Sequence, residues 1–127
     1  MYLGFKLGLQ LCFSLREEND LKSMKSLECI GSDLTQGQFE FTRHAFKRAI
    51  ERNISDREIM ECDSKIRLIE DYPDDKYSPS CLILGFTDER RALHLQVSRA
   101  ETPKVKVITL YEPDPQAWED YSIRRMS

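Results

Sequence analysis

The chain has 127 residues, of which 40% are hydrophobic and 32% are charged, and its formal net charge at pH 7 is −3. This length and composition predict one globular domain with its own core and exclude a largely disordered chain. The acidic balance argues against general nucleic-acid binding, because proteins that neutralise phosphates usually carry a basic excess. Any binding of RNA therefore depends on a local basic patch. The candidate cations are Arg43, Lys47, Arg48, Arg52, Arg57, Lys104, Lys106, Arg124 and Arg125.

The chain begins with an apolar run, Met1 to Leu15, that has the composition of a signal peptide or membrane anchor. Three features argue against both. The run is shorter than the roughly 20 residues of a spanning helix, Lys6 and Gln10 interrupt it, and no small-residue cleavage site follows. We therefore expect Met24 to be the natural start, and we predict no membrane partner.

The first 38 residues are interpreted as a leader and a linker that is poorly ordered or forms one short helix. Gly31 and Gly37 interrupt its polar, aperiodic second half, residues 16–38, and so favour a loop with at most one helical turn. Residues 39–127 are predicted to form a single α+β domain.

Four cysteines show no C-x-x-C pair and no histidine at zinc-ligand spacing, so they are interpreted as free thiols. Free thiols are typical of a reducing compartment, which predicts a cytoplasmic protein. We predict neither a metal nor a cofactor. The cysteines are Cys12, Cys29, Cys62 and Cys81.

Two helices are predicted in the first half of the domain. Thr42 can cap the first, and Ser55 followed by Glu58 is a capping box that predicts a second, short helix through about Cys62. Helical periodicity assigns the apolar residues of the first helix to one inward side. These residues are Ala45, Phe46, Ala49 and Ile50. The opposite, polar side carries His44, Lys47, Arg48 and Glu51.

Four strands are predicted from two-residue alternation at residues 66–72, 81–86, 92–98 and 105–111. Their short connections favour an antiparallel meander, because parallel neighbours need crossovers of about a dozen residues. Asp114 followed by Pro115 suits the start of a closing helix that carries Trp118. The predicted fold class is α+β, with two N-terminal helices packed on a four-stranded, mainly antiparallel sheet and a short C-terminal helix.

One candidate site lies on the first predicted helix, where His44, Arg48 and Arg52 follow at four-residue spacing on one face. A histidine that titrates near neutrality, flanked by two guanidinium groups, can hold and cleave a phosphodiester. A solvated helix face explains the same pattern equally well.

A second candidate site lies on the sheet. Strand alternation puts His94 and Gln96 on the same open face as Thr109 and Tyr111 of the next strand. Two interpretations of His94 are then open. It is an acid or base that titrates near neutral pH, or it is a partly buried histidine whose ring is hydrogen-bonded to a backbone or threonine partner. Tyr111 either packs at an edge or contacts a phosphate or base.

Standard signatures are absent: the sequence has no Walker loop, no G-x-G-x-x-G, no G-x-S-x-G and no H-E-x-x-H. This argues against nucleotide hydrolases, dehydrogenases, esterases and zinc proteases. A metal-independent ribonuclease needs none of these signatures, because scattered side chains can activate the ribose 2′-hydroxyl and stabilise the phosphorane.

Several residues match a family pattern: His44-Ala45, Arg48, Glu51-Arg52, Ile54-Ser55 and Glu58, then Asp71-Tyr72-Pro73, Leu84-Gly85, His94, and Ile108-Thr109-Leu110-Tyr111-Glu112-Pro113 with Trp118. On these residues the chain, from about Phe41 to Arg125, resembles a bacterial family of unknown function, DUF4258, whose members look like relatives of RelE- and BrnT-type toxins. The resemblance implies a RelE-like fold and a toxin role. It also implies an antitoxin partner with a zinc-binding C-x-x-C portion and a helix-turn-helix.

Two functional hypotheses follow. In the first, the chain is a toxin-like, metal-independent endoribonuclease of a toxin-antitoxin pair that binds RNA. Its catalytic residues are His44, His94 and Tyr111, and its substrate-binding residues are Arg48, Arg52, Gln96 and Thr109. In the second, the chain is a non-catalytic protein-interaction module that docks a partner on its open sheet face or an edge strand.

Overall fold

The structure is a computed structural model that describes residues 24–62 and 65–126. The predicted leader, residues 1–23, lies outside the described residues, as does Cys12. Across the described ranges, no helix has both the length and the apolar character needed to cross a membrane.

Three helices are present in this part of the chain, each opened by a side chain that caps its first turn. They are α1 (Leu27–Thr35), α2 (Arg43–Glu51) and α3 (Asp56–Glu61). Thr42 accepts from the backbone N–H of Ala45, and Ser55 exchanges hydrogen bonds with Glu58 in a complete capping box. The two predicted helix starts are therefore confirmed, because capping depends only on residues three positions apart.

Helix α1 lies in the segment interpreted as a linker with one short helix, and its nine residues, Leu27–Thr35, make more than the single turn expected. Ile30 and Leu34 are fully buried in the same core as the strands, with Leu27 packed against them. Spacing of three and four residues puts these side chains on one helical face. This short apolar stripe lies within a mostly polar stretch, which is why the pattern looked aperiodic.

The main sheet has five strands in the described residues, in the order β1-β5-β4-β3-β2. The strands are β1 (Phe39–Phe41), β2 (Arg67–Tyr72), β3 (Ser80–Phe86), β4 (Ala92–Ser98) and β5 (Val105–Tyr111). Strands β2 to β5 form the predicted antiparallel meander within one residue of the predicted bounds. Strand β1 was missed, because three residues are too few to show alternation, and it pairs parallel with β5.

The predicted C-terminal helix is wrong. The backbone carbonyl of Asp114 accepts from Ala117 and Trp118, which makes a single turn. The chain then forms a hairpin of β6 (Trp118–Glu119) and β7 (Ile123–Arg124). The fold is thus mixed α+β as predicted, with one more helix before the meander and one more strand in the main sheet than expected.

The core lies between the three helices and one face of the sheet. On α2 the small residues Ala45 and Ala49 are buried, whereas Phe46 is 57% exposed and Ile50 is 67% exposed. The predicted inward side of this helix is therefore wrong for its two largest members. Because Ala45 and Ala49 are small, α2 packs close to the sheet through them, and the larger Phe46 and Ile50 face solvent.

The cysteines divide into two groups. Cys62 and Cys81 are buried thiols, as predicted, and burial raises the pKa of Cys81 to about 11. Cys29 is disulfide-bonded, so the prediction of a free thiol is wrong there. Spacing rules for zinc ligands and C-x-x-C motifs do not test for disulfides of other spacings.

A buried ion pair ties α1 to the rest of the domain. The Nζ of Lys25 lies 2.7 Å from Oδ2 of Asp33 and donates to the carbonyl of Thr102 at 2.6 Å. Both side chains are almost fully buried. Removing one partner of such a pair leaves an uncompensated charge in the interior.

We expect Lys25→Met to lower the free energy of unfolding by about 3–5 kcal/mol, measured by urea denaturation. The matched control is the double variant Lys25→Met/Asp33→Leu, which removes both charges and should recover most of the loss. A single variant as stable as the wild type would show that α1 does not depend on this ion pair.

Candidate functional site

The strand register brings the sheet candidates together. His94 on β4 pairs with Tyr111 on β5, and Gln96 pairs with Thr109 two residues further on. Residues at alternate positions point to one face, so these four side chains share the face away from the helices. Glu70 and Tyr72 of β2 lie on the same face, because they pair with Leu82 and Ser80 of β3.

His94 is completely buried, and both of its ring nitrogens have partners. Nε2 lies 2.6 Å from the backbone carbonyl of Tyr121, and Nδ1 lies 3.2 Å from the hydroxyl of Tyr111. A carbonyl can only accept, so Nε2 carries the proton and Nδ1 accepts from the Tyr111 hydroxyl. Burial lowers the pKa of His94, because an apolar environment disfavours the imidazolium.

The hairpin β6–β7 covers this histidine. The ring of Trp118 meets the His94 ring edge to face, with centroids 4.5 Å apart. At the turn, Asp120 and Tyr121 have φ angles of 52° and 61°, and Ser122 N–H closes the turn onto the carbonyl of Glu119. Two left-handed residues in succession are typical of a tight hairpin turn that matches strand twist. This turn aims the Tyr121 carbonyl at His94.

A charged contact fastens the hairpin to the edge of the sheet. Arg124 donates twice to the carboxylate of Glu70, at 2.6 and 3.1 Å, and its guanidinium lies 4.6 Å from the centroid of the Trp118 ring. The hydroxyl of Tyr72 donates to the same carboxylate. The Arg124 contact lowers the pKa of Glu70, while burial and the nearby carboxylate raise the pKa of Tyr72 to about 12.

A shallow pocket of about 550 Å³ opens beside Tyr111. Its lining residues are Arg52, Tyr111, Glu112, Asp114, Ala117, Trp118 and Arg124. Arg52 donates to the carbonyl of Leu110 at 2.6 Å, which holds its guanidinium 6.0 Å from the centroid of the Tyr111 ring. The pocket therefore presents one half-buried phenol between two guanidinium groups, and His94 lies behind that phenol.

His44 and Arg48 lie four residues apart on α2 and Arg52 follows at its end, but Arg48 and Arg52 have different partners. Helix α2 ends at Glu51, so Arg52 occupies the C-cap position and turns toward β5. Arg48 instead pairs with Glu51 at 2.6 Å on the exposed surface. His44 is exposed, and no hydrogen bond or ion pair of the described residues links it to the pocket. Four-residue spacing along α2 therefore does not bring these three side chains to a common partner.

Gln96 and Thr109 lie away from this pocket. The amide of Gln96 donates to Ser80, which in turn donates to Asp75 at 2.6 Å. Gln96 lines a separate, open depression with residues 72–76. Thr109 is its register partner on β5. Of the predicted site residues, only Arg52 and Tyr111 line the pocket, with His94 bonded to Tyr111 behind it.

Three residues that complete this constellation were not predicted as site residues. Glu70 lies within the strand predicted at residues 66–72, Arg124 is one of nine candidate cations, and Tyr121 contributes only a backbone carbonyl. No local pattern could reveal them, because each depends on how the hairpin folds back over the sheet. Within residues 24–62 and 65–126, no group of His, Cys, Asp and Glu could hold a metal ion.

The fold and site define an α+β domain with an aromatic pocket flanked by arginines. A family model described as Domain of unknown function (DUF4258) matches residues 41–112, and the chain belongs to this family. The matched region runs from the end of β1 through β5, so it includes His94, Tyr111 and Arg52 but not the hairpin. Searches of the curated proteins and of the solved structures found no match.

The burial of His94 predicts how stability depends on pH. Its pKa is lower in the folded chain than the 6.5 of an exposed histidine. As pH falls from about 7.5 to 5.5, the unfolded chain therefore binds a proton that the folded chain does not, and stability decreases by at most about 1.4 kcal/mol per pH unit. The carboxylates with lowered pKa values, such as Glu58 and Glu70, lose their contributions only at lower pH.

Urea denaturation at several pH values checks this expectation. His94→Gln should remove the pH dependence in this window. The matched control His44→Gln should keep it, because His44 lies exposed on α2. Stability that is constant or rises on acidification of the wild type would contradict a buried, neutral His94.

Proposed function

We propose that this chain is a metal-independent endoribonuclease of the toxin type. The observation that carries the proposal is Tyr111, which lines the pocket with Arg52 and Arg124 and whose hydroxyl donates to the neutral His94 ring. The likeness to RelE- and BrnT-type toxins, a bacterial, cytoplasmic setting, and an antitoxin with zinc-binding and helix-turn-helix portions belong to this same proposal.

The proton transfer uses Tyr111 and His94 in series. The Tyr111 oxygen takes the proton of the ribose 2′-hydroxyl while its own proton passes to Nδ1 of His94. The 2′-oxygen then bonds to phosphorus and the bond to the 5′-oxygen breaks, which leaves a cyclic phosphate and a 5′-oxygen that takes a proton from water. The Tyr121 carbonyl and the Glu70 carboxylate both favour the imidazolium that forms.

The two arginines supply the charge stabilisation. A phosphorane carries more negative charge than the phosphodiester, and guanidinium groups match its oxygens with paired donors. Arg52 is held by the Leu110 carbonyl and Arg124 by Glu70, so both are positioned before RNA binds. The acidic rim residue Glu112 is paired with Arg91 at 2.9 Å, which reduces its repulsion of RNA.

The second candidate function is a non-catalytic protein-interaction module. The observation that favours it is the complete burial of His94 with both nitrogens satisfied, since this is also the environment of a structural histidine. In this case Tyr111 only supports the hairpin, and the pocket has no reaction to perform. The two candidates differ in whether the Tyr111 hydroxyl is needed for an activity on RNA.

Cleavage of a fluorogenic single-stranded RNA in EDTA tests the proposal. We expect Tyr111→Phe to lower the rate about 10²- to 10⁴-fold, because it removes the proton-transfer group and keeps the ring. Arg52→Gln should lower it by a similar factor through lost charge stabilisation.

Each control makes the same type of substitution at a residue outside the pocket. Tyr77→Phe and Arg57→Gln alter exposed residues outside the pocket and should leave the rate unchanged. Absence of cleavage by the wild type, or equal cleavage by wild type and Tyr111→Phe, would remove the ribonuclease proposal and favour the interaction module.

A further inference from the structure

Helix α2 presents two large apolar side chains to solvent, and neither lines the pocket. Phe46 and Ile50 are four residues apart, so they form one surface, and both are more than half exposed. The small Ala45 and Ala49 face the core instead. A single exposed apolar residue is ordinary, but contiguous ones mark a surface that is covered by something else.

The apolar surface continues from α2 onto β1. The ring of Phe46 lies 6.3 Å from the ring of Phe41, which lies 5.8 Å from Phe39. Both β1 rings are only partly buried against the core. We call Phe39, Phe41, Phe46 and Ile50 the α2–β1 apolar surface. Aromatic side chains held in such a row are typical anchors of protein interfaces.

Strand β1 also has an outer edge that no described strand covers. It is the terminal strand of the sheet, and its inner edge is used by β5: Val105 donates to Gln38 and Thr42 donates to Val107, each at 3.0 Å. In this parallel register the N–H and C=O groups of Phe39 and Phe41 point away from β5. An extended segment can pair with such an edge by strand addition.

The cations on α2 beside this surface favour an acidic occupant, and the exposed Glu40 alternates to the opposite face of β1 from Phe39 and Phe41. Arg43 precedes Phe46 by three residues and Lys47 precedes Ile50 by three, so each cation lies next to an exposed apolar side chain. Both are exposed, and no ion pair among the described residues uses either of them. A partner that alternates acidic and apolar residues would satisfy the cations and the apolar side chains together.

We propose that the α2–β1 apolar surface docks an acidic, amphipathic, extended segment of a second protein, which pairs with the outer edge of β1. This inference does not depend on the ribonuclease proposal, because none of its residues touches the pocket.

Other occupants fit the charges less well. A two-fold contact between copies would bring Arg43 and Lys47 against their own equivalents, and like charges repel. The apolar run of residues 1–15 carries Lys6 and no acidic residue. Single-stranded RNA would find phosphate partners, but Ile50 has no ring on which a base can stack.

A displayed library of random linear peptides tests the proposal on the full-length chain. Peptides are selected on the wild type alone, and those that survive repeated rounds are then measured on the variant Phe46→Ser/Ile50→Ser, whose changes affect exposed side chains. We expect the survivors to alternate Asp or Glu with apolar residues. Their affinity, measured by fluorescence anisotropy, should be about tenfold or more lower for the variant and should weaken with added salt.

A separate variant tests whether binding needs the positive charge on α2. This test remains valid if Phe46→Ser/Ile50→Ser unfolds the chain. Lys47→Glu should weaken the selected peptides about tenfold. The matched control Lys76→Glu reverses a charge in a distant exposed turn and should leave binding unchanged. Survivors that are basic or uncharged, or that bind the double variant equally well, would overturn the proposal.

The alternative occupants give distinct results. A dimer in sedimentation that Phe46→Ser/Ile50→Ser abolishes would assign the surface to a second copy. Protection of Phe46 from hydroxyl radicals in the monomeric chain would assign it to residues 1–23. Loss of binding of a fluorescent single-stranded RNA in the double variant would assign it to RNA. Each result overturns the proposal, whereas a monomer with reactive Phe46 and unchanged RNA binding supports it.

Discussion

The hydrogen bonds of His94 are the interaction on which the candidate site depends. A fully buried imidazole must satisfy both nitrogens, and here one bonds to the Tyr121 carbonyl and the other to the Tyr111 hydroxyl. The first bond holds the hairpin to the sheet, and the second fixes the orientation of the phenol at the pocket. Trp118 excludes water from the ring, so the polar contacts act in an apolar environment.

This constraint also explains why the short hairpin has a defined position. Two strands of two residues each bury little on their own and would not be stable alone. Trp118 packs on His94, and Arg124 is clamped by Glu70 while it lies over the Trp118 ring. The hairpin thus supplies one wall of the pocket and one of its two guanidinium groups, although it lies beyond the region that the family model matches.

Much of the fold follows from local patterns in the sequence. Capping at Thr42 and Ser55 involves neighbouring residues, and strands β2 to β5 are long enough to show alternation. Strand β1 and the hairpin are too short for any periodic signal, and their pairing is decided by distant parts of the chain. Exposure of Phe46 and Ile50 was not predictable either, because helical periodicity identifies a stripe but not how closely the helix approaches the sheet.

Only part of the site was predictable from the sequence. The alternation of side chains along two neighbouring strands was sufficient to place His94 beside Tyr111, but the role of Arg52 depends on the end of α2 at Glu51. The partners from Glu70 and Tyr121 required the tertiary fold. A residue that acts through its backbone carbonyl, or that holds another site residue in place, leaves no pattern in the sequence, so it can be found only from the structure.

The protonation state of His94 decides whether the site works as described, and nitrogen-15 NMR of the labelled chain measures it, with the signal assigned by its loss in His94→Gln. We expect a neutral ring that carries its proton on Nε2 and stays neutral as pH falls below the usual 6.5. A ring protonated on Nδ1 alone, or an imidazolium already formed at pH 6.5, would contradict this expectation.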